Sequence, residues 1–124
     1  MPKKHLASDD AARQTALRQF KAEVFSVLAH PTRIHIIECL REGEHSVGEL
    51  VELIQVEPTN ASQHLAVLRS KDLVVSRKEG NLVFYALRDP VLALVLVDMH
   101  RLFTNHLQST IGRLQSISPE RNDK

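Results

Sequence analysis

The period of the apolar positions changes several times along this chain, and each change marks an element. Leu17, Phe20, Val24, Val27 and Leu28 recur at helical spacing. Ser8 with Asp9 and Asp10 is a helix start, so a first helix is predicted from there to about Leu28. His30-Pro31 breaks it and opens a second helix, with Ile36, Ile37 and Leu40 inward and Gly43 as its stop. Ser46-Val47-Gly48-Glu49 is a capping box, which predicts a short third helix to Ile54. The turn Gln55–Glu57 leads to Pro58, whose missing N–H suits a first helical position. From there Ala61, Leu65 and Leu68 form one inward stripe of a fourth helix over about 58–70. Val74-Val75 and Leu82–Leu87 switch to strand character, with Gly80-Asn81 as a tight-turn signal between them. Asp89-Pro90 then opens a long last helix to about Leu114. The order is four helices, a β-hairpin and a helix, a mainly α fold.

The polar side of the fourth helix changes this from a fold to a candidate function. Opposite the inward stripe lie Thr59, Asn60, Gln63, Ala66, Val67 and Ser70, with Ser62 at the edge. Thr, Asn, Ser and Gln are short or planar hydrogen-bonding groups suited to base edges. No acidic residue lies between Pro58 and Lys71, where a carboxylate would repel phosphates. Arg77 and Lys78 sit just before the hairpin tip, and Arg69 closes the helix. A polar-faced helix followed at once by a basic hairpin is the arrangement of a winged helix-turn-helix, with the helix in the major groove and the wing, 74–87, on the DNA backbone. The expected base-reading residues are Thr59, Asn60, Ser62 and Gln63; the expected backbone contacts are Arg69, Arg77 and Lys78. His64, at the edge of the inward stripe, is expected to belong to the scaffold and to hydrogen-bond locally rather than read a base.

Charge supports this reading. The net charge is only +1, but it is segregated. Residues 58–88 carry Arg69, Lys71, Arg77, Lys78 and Arg88 against Asp72 and Glu79. Residues 38–57 carry Arg41 against six glutamates. A length of 124 residues with 43% apolar content predicts one domain over 1–124, with 1–7 and 118–124 as flexible tails. One cysteine rules out an intrachain disulfide and suits a reducing cytoplasm. The longest apolar run, Val91–Val97, is too short to span a bilayer, and no charged-then-apolar leader opens the chain. A cytoplasmic protein without a membrane partner is expected. There is no Gly-rich phosphate loop and no catalytic triad or carboxylate pair, so an enzyme is not expected.

The run from Leu28 to Leu87 resembles the ArsR/SmtB family of bacterial winged-helix repressors. The resemblance is carried by HPTR-x-x-I at 30–36, SVGEL at 46–50, S-x-H-L at Ser62–Leu65 and R-x-E-G…Y-x-L at 77–87. It implies a homodimer, built through the first and last helices, on double-stranded operator DNA with a pseudo-palindromic inverted repeat. It also implies release of DNA when an inducer is sensed. The stripe of the first helix and the all-round apolar Val91–Val97 agree with such an interface.

The family's usual metal ligands are missing. Arsenic and cadmium sensors carry Cys-Val-Cys in the third helix, where this chain has Val47-Gly48-Glu49-Leu50. Zinc and cobalt sensors carry Asp-x-His at the start of the last helix, where it has Asp89-Pro90-Val91, and Leu102 and Asn105 stand near the distal pair. Persulfide and redox sensors need two cysteines, and only Cys39 exists. No cofactor and no metal at those sites are expected. The leftover constellations are Asp98, His100 and His106 on the last helix and His35-x-x-x-Cys39 on the second, with oxidation of Cys39 alone as a third. Asp98 and His106 lie about 80° apart on a helix, with His100 pointing away, so one chain does not gather all three. The competing readings are surface histidines and a packed cysteine. Two further alternatives stay open: a metal-responsive regulator using those residues, and a winged-helix protein-interaction module without DNA.

Overall fold

The computed structural model describes residues 2–117, and side chains for 8–116. The elements are α1 (Pro2–Leu28), α2 (Pro31–Leu40), β1 (His45–Ser46), α3 (Val47–Ile54), α4 (Pro58–Ser70), β2 (Val74–Glu79), β3 (Leu82–Leu87) and α5 (Val91–Ile117). Residues up to Asp89 form one compact unit, and α5 belongs to a second. Among the described residues, no helix is long and apolar enough to cross a membrane.

Local chemistry explains most boundaries in the first unit. The α1/α2 break falls at His30, an extended residue whose Nδ1 accepts from the Thr32 N–H at 3.3 Å, with Pro31 following as the first helical residue. Gly43, at φ +135°, ends the turn after α2. The capping box is complete: the Glu49 N–H donates to Ser46 Oγ at 3.1 Å, and the Ser46 N–H donates to Glu49 Oε1 at 2.8 Å. The turn into α4 runs through Gln55 at φ +62°, whose N–H reaches the Val51 carbonyl. Helix α4 closes with Asp72 in the left-handed region at φ +57°. There the Leu73 N–H reaches the Leu68 carbonyl and the Asp72 N–H the Arg69 carbonyl, each at 3.0 Å, which is the bonding pattern of a Schellman motif.

The core of this unit is Val27 and Leu28 of α1, Ile36, Ile37 and Leu40 of α2, Leu50 of α3, Ala61, Leu65 and Leu68 of α4, and Val74 of β2. The inward stripes expected on α2 and α4 are therefore the buried ones. On α1 the stripe divides. Val27 and Leu28 are buried, whereas Leu17 and Phe20 remain about half exposed at 45% and 50%.

Three expectations need correction. The sheet has three strands, in the order β1-β3-β2, because His45 and Ser46 pair with Tyr85 and Phe84 on the free edge of the hairpin. Two residues carry no alternation, so nothing in the pattern signalled β1. Helix α1 starts at Pro2 and α5 ends at Ile117, beyond the boundaries expected near Ser8 and Leu114. No glycine interrupts 2–10, and Pro2 fits a first helical position, so the backbone there runs on as helix. The expected tail 118–124 lies outside the described residues.

Candidate nucleic-acid interface

Helix α4 is held from below and left bare above. Ala61, Leu65 and Leu68 are wholly buried and set its rotation about its axis. A second fastening is polar. Arg33, from the HPTR run, donates through Nη1 to the Val27 carbonyl at 3.0 Å and through Nε to His64 Nδ1 at 3.2 Å. One guanidinium thus ties the end of α1, the start of α2 and the middle of α4 together. The His30 ring stands 4.3 Å from the His64 ring, tilted against it. Burial, then His30 and Arg33, hold the His64 imidazole below its usual pKa, so it stays neutral and accepts the Arg33 bond. His64 is a scaffold residue, as expected, but its partner is 31 positions away in sequence rather than local.

With that stripe inward, Thr59, Asn60, Ser62 and Gln63 are all exposed. Among the described residues, none of their side chains has a protein hydrogen-bond partner. Ala66 and Ser70 share the exposed side, Ser70 donating back to the Val67 carbonyl. Arg69 is exposed in the last turn and makes no ion pair among the described residues. The face offers neutral donors and acceptors with no carboxylate.

The hairpin beside α4 is in register from Val74 opposite Leu87 to Glu79 opposite Leu82. Gly80 at φ +62° supplies the positive φ that a two-residue hairpin turn requires. Buried Val74 and the bond from the Arg88 N–H to the Leu73 carbonyl root its base. Its two cations differ. Arg77 lies opposite Phe84, with its guanidinium carbon 4.6 Å from the ring centroid. The Arg77 Nε donates to Glu44 Oε2 at 2.9 Å, Nη2 donates to Glu44 Oε1, and Nη1 donates to Glu79. Hydrogen bonding to Arg77 holds the Glu44 carboxyl below the usual carboxylate range, and the same contacts raise Arg77. Lys78 is exposed and makes no ion pair among the described residues. Elsewhere Lys71 Nζ lies 3.5 Å from Glu23 of α1, and Arg88 lies 3.8 Å from Asp72. Sequence reasoning saw the wing cations but missed Glu44 as a partner, because a separation of 33 residues leaves no local signal.

The leftover candidates for sensing lie on α2 and α5. Among the described residues, no three His, Cys, Asp or Glu side chains are grouped to hold a metal ion. Asp98, His100 and His106 are exposed on α5, and His35 is exposed on α2. Cys39 is half-buried. Burial, then the Glu38 carboxylate, pushes its thiol up, the opposite of the lowered value an oxidation-sensitive thiolate needs.

Comparison with known proteins gives the same picture. The profile of bacterial regulatory proteins of the arsR family matches residues 30–76. Rv0081 of Mycobacterium tuberculosis, an HTH-type transcriptional regulator, is 37% identical over 102 residues, covering 82% of this chain and 90% of that one. Its crystal structure superposes with a TM-score of 0.70 at 38% identity, covering 77% of this chain and 96% of that chain. The homodimeric winged helix-turn-helix DNA-binding domain of Mb0332 from Mycobacterium bovis, a possible ArsR-family regulator, superposes with a TM-score of 0.70 at 29% identity, covering 78% and 90%. The transcriptional repressor SmtB of Mycobacterium tuberculosis is 38% identical over 76 residues, covering 61% of this chain and 56% of that one. The winged fold and an identity that runs through most of both chains show that this chain belongs to the ArsR family of bacterial regulatory proteins, as a winged helix-turn-helix transcriptional regulator.

Proposed function

We propose that the protein is a cytoplasmic homodimeric repressor whose two α4 helices enter successive major grooves of an inverted-repeat operator. Thr59, Asn60, Ser62 and Gln63 read base edges, while Arg69 and Lys78, with Arg77 beside them, meet phosphates. The observation that carries this is the α4 face: four neutral hydrogen-bonding side chains, exposed and unpartnered within the described residues, on a helix locked by a wholly buried stripe. A face built to bind protein would offer large apolar or aromatic anchors, and this one offers none.

A dimer through α1 and α5 is supported by the apolar side chains each leaves exposed. On α1 these are Leu17, Phe20 and Phe25; on α5 they include Leu94, Leu102, Phe103, Leu107 and Leu114. The homodimeric state of Mb0332 supports the same reading. Footprinting should find two half-sites about 10 bp apart, centre to centre. A single half-site, or no preference over random duplex, would overturn the operator reading. A monomer in sedimentation at micromolar concentration would overturn the dimer.

The inducer we propose is not a metal held at the family's usual sites. Zinc, cobalt, nickel and arsenite at stoichiometric levels should leave the DNA complex intact. A tenfold loss of affinity, about 1.4 kcal/mol of coupling, would refute this. Loss of that effect in His100→Ala or His106→Ala would then identify the last helix as the sensor.

A further inference from the structure

The wing's two neighbouring cations are in opposite states. Both are exposed, but Lys78 makes no ion pair among the described residues, while Arg77 is paired. Glu44 occupies the Nε–Nη2 edge of its guanidinium with both carboxylate oxygens, Glu79 holds Nη1, and the Phe84 ring covers one flat side. A phosphate binds arginine best through the same forked edges. Three of the five guanidinium N–H groups are engaged, including the whole Nε–Nη2 edge, so a phosphate that takes that edge must displace Glu44. The displaced carboxylate then needs a counterion of its own. Such an exchange releases few ions, and ion release is the source of sequence-independent affinity.

We propose that Glu44, in the turn between α2 and β1, is an internal competitor for the phosphate backbone and limits the wing's contribution to sequence-independent DNA affinity. The inference rests on the DNA-binding reading above. It assigns a role to a residue outside both α4 and the hairpin. Glu44 suits it because its place is set by the fold: the next residue, His45, starts β1, which pairs with β3. Glu79 is the lesser competitor, holding one nitrogen rather than two.

The test uses the full chain and a random-sequence duplex, with affinity measured by fluorescence anisotropy across a salt series. Glu44→Gln should bind about two- to fivefold more tightly, the range an exposed ion pair withholds. Its salt slope should steepen by about 0.9, one further phosphate contact. Glu42→Gln makes the same change in net charge two residues away, where no ion pair is made among the described residues, and should move both quantities less. Adding Arg77→Ala to Glu44→Gln should abolish the gain. If Glu44→Gln binds no better than the unchanged protein, or no better than Glu42→Gln, while Lys78→Ala still weakens binding, the competitor role is overturned and the DNA reading stands. If the unchanged protein binds no duplex, both are overturned.

Discussion

The exposed face of α4 and the exposed face of the wing are both polar, and they are kept ready in different ways. On α4 the side chains of Thr59, Asn60, Ser62 and Gln63 are neutral, and none has a partner among the described residues. On the wing Arg77 is already paired twice and stacked once. The difference follows from the range of the forces. A neutral amide or hydroxyl attracts a partner only at contact distance, so exposure alone keeps it free. An exposed cation draws in whatever carboxylate the fold brings near. Counting charges by segment therefore describes α4 well and misjudges the wing. The acidic stretch 38–57 is distant from the wing in sequence but folds Glu44 onto Arg77.

The most direct way to break the comparison is to remove the support under the bare face. Leu65 is wholly buried in the α4 stripe. Leu65→Ala should cost about 2–5 kcal/mol of stability, read from urea unfolding. Sequence-specific binding should fall with it, because the rotation of α4 is then less well set. A loss well under 1 kcal/mol would mean that α4 takes its position from elsewhere, the Arg33–His64 bond being the first place to look. The next effect is local to the face. Gln63→Ala should lose about 1–3 kcal/mol of discrimination between operator and a mismatched site if the amide is bidentate to a base. Binding to random duplex should change little. Equal losses on both DNAs would show that Gln63 anchors rather than reads.

What the sequence made legible follows the same division. Features written within a few residues were read correctly. The capping box at Ser46 and Glu49, the break at His30-Pro31, Pro58 at the start of α4 and the Gly80-Asn81 turn each depend on neighbours along the chain. The inward stripes of α2 and α4 were read because helical periodicity is also local. Contacts between distant segments were not read. Strand β1 exists only because β3 has a free edge for two residues. The Schellman end of α4 was hidden by Asp72, which takes the left-handed position that glycine usually marks. Arg33 was visible as part of a motif, but its clasp on His64 and Val27 needed the fold. The candidate face on α4 was therefore legible but for Val67, which is half-buried, and the state of the wing was only half so.

Within the wing, the two cations should separate in their salt dependence. Lys78→Ala removes a free cation and should flatten the salt slope on random duplex by about 0.9. Arg77→Ala removes a cation together with its hold on two carboxylates, and should flatten it by less. Equal slopes for the two variants would show that DNA opens the Arg77 pairs at no cost, erasing the distinction drawn between the cations.

The smallest expected effect is on the anchored side of α4, and it depends on pH. His64 accepts the Arg33 Nε–H through Nδ1 and stands beside His30. Protonation would turn that acceptor into a donor facing a guanidinium. Burial, His30 and Arg33 accordingly lower its pKa in the folded protein. The unfolded chain thus takes up the proton first as pH falls below about 6.5. Stability from this group is present above that value and is lost as pH falls through the lower, folded value. Unfolding measured by urea from about pH 7.5 to pH 5 should show a decline on the acid side. His64→Asn places an amide oxygen near the Nδ1 position without a titrating proton, so its decline should be shallower. The chain holds six other histidines, and the difference between the two proteins isolates His64 from them. Gln63→Ala, on the bare face one residue away, should keep the steeper decline of the unchanged protein. Identical acid-side slopes for His64→Asn and the unchanged protein would mean that the Arg33–His64 bond does not govern how α4 is held, and that the buried stripe alone does.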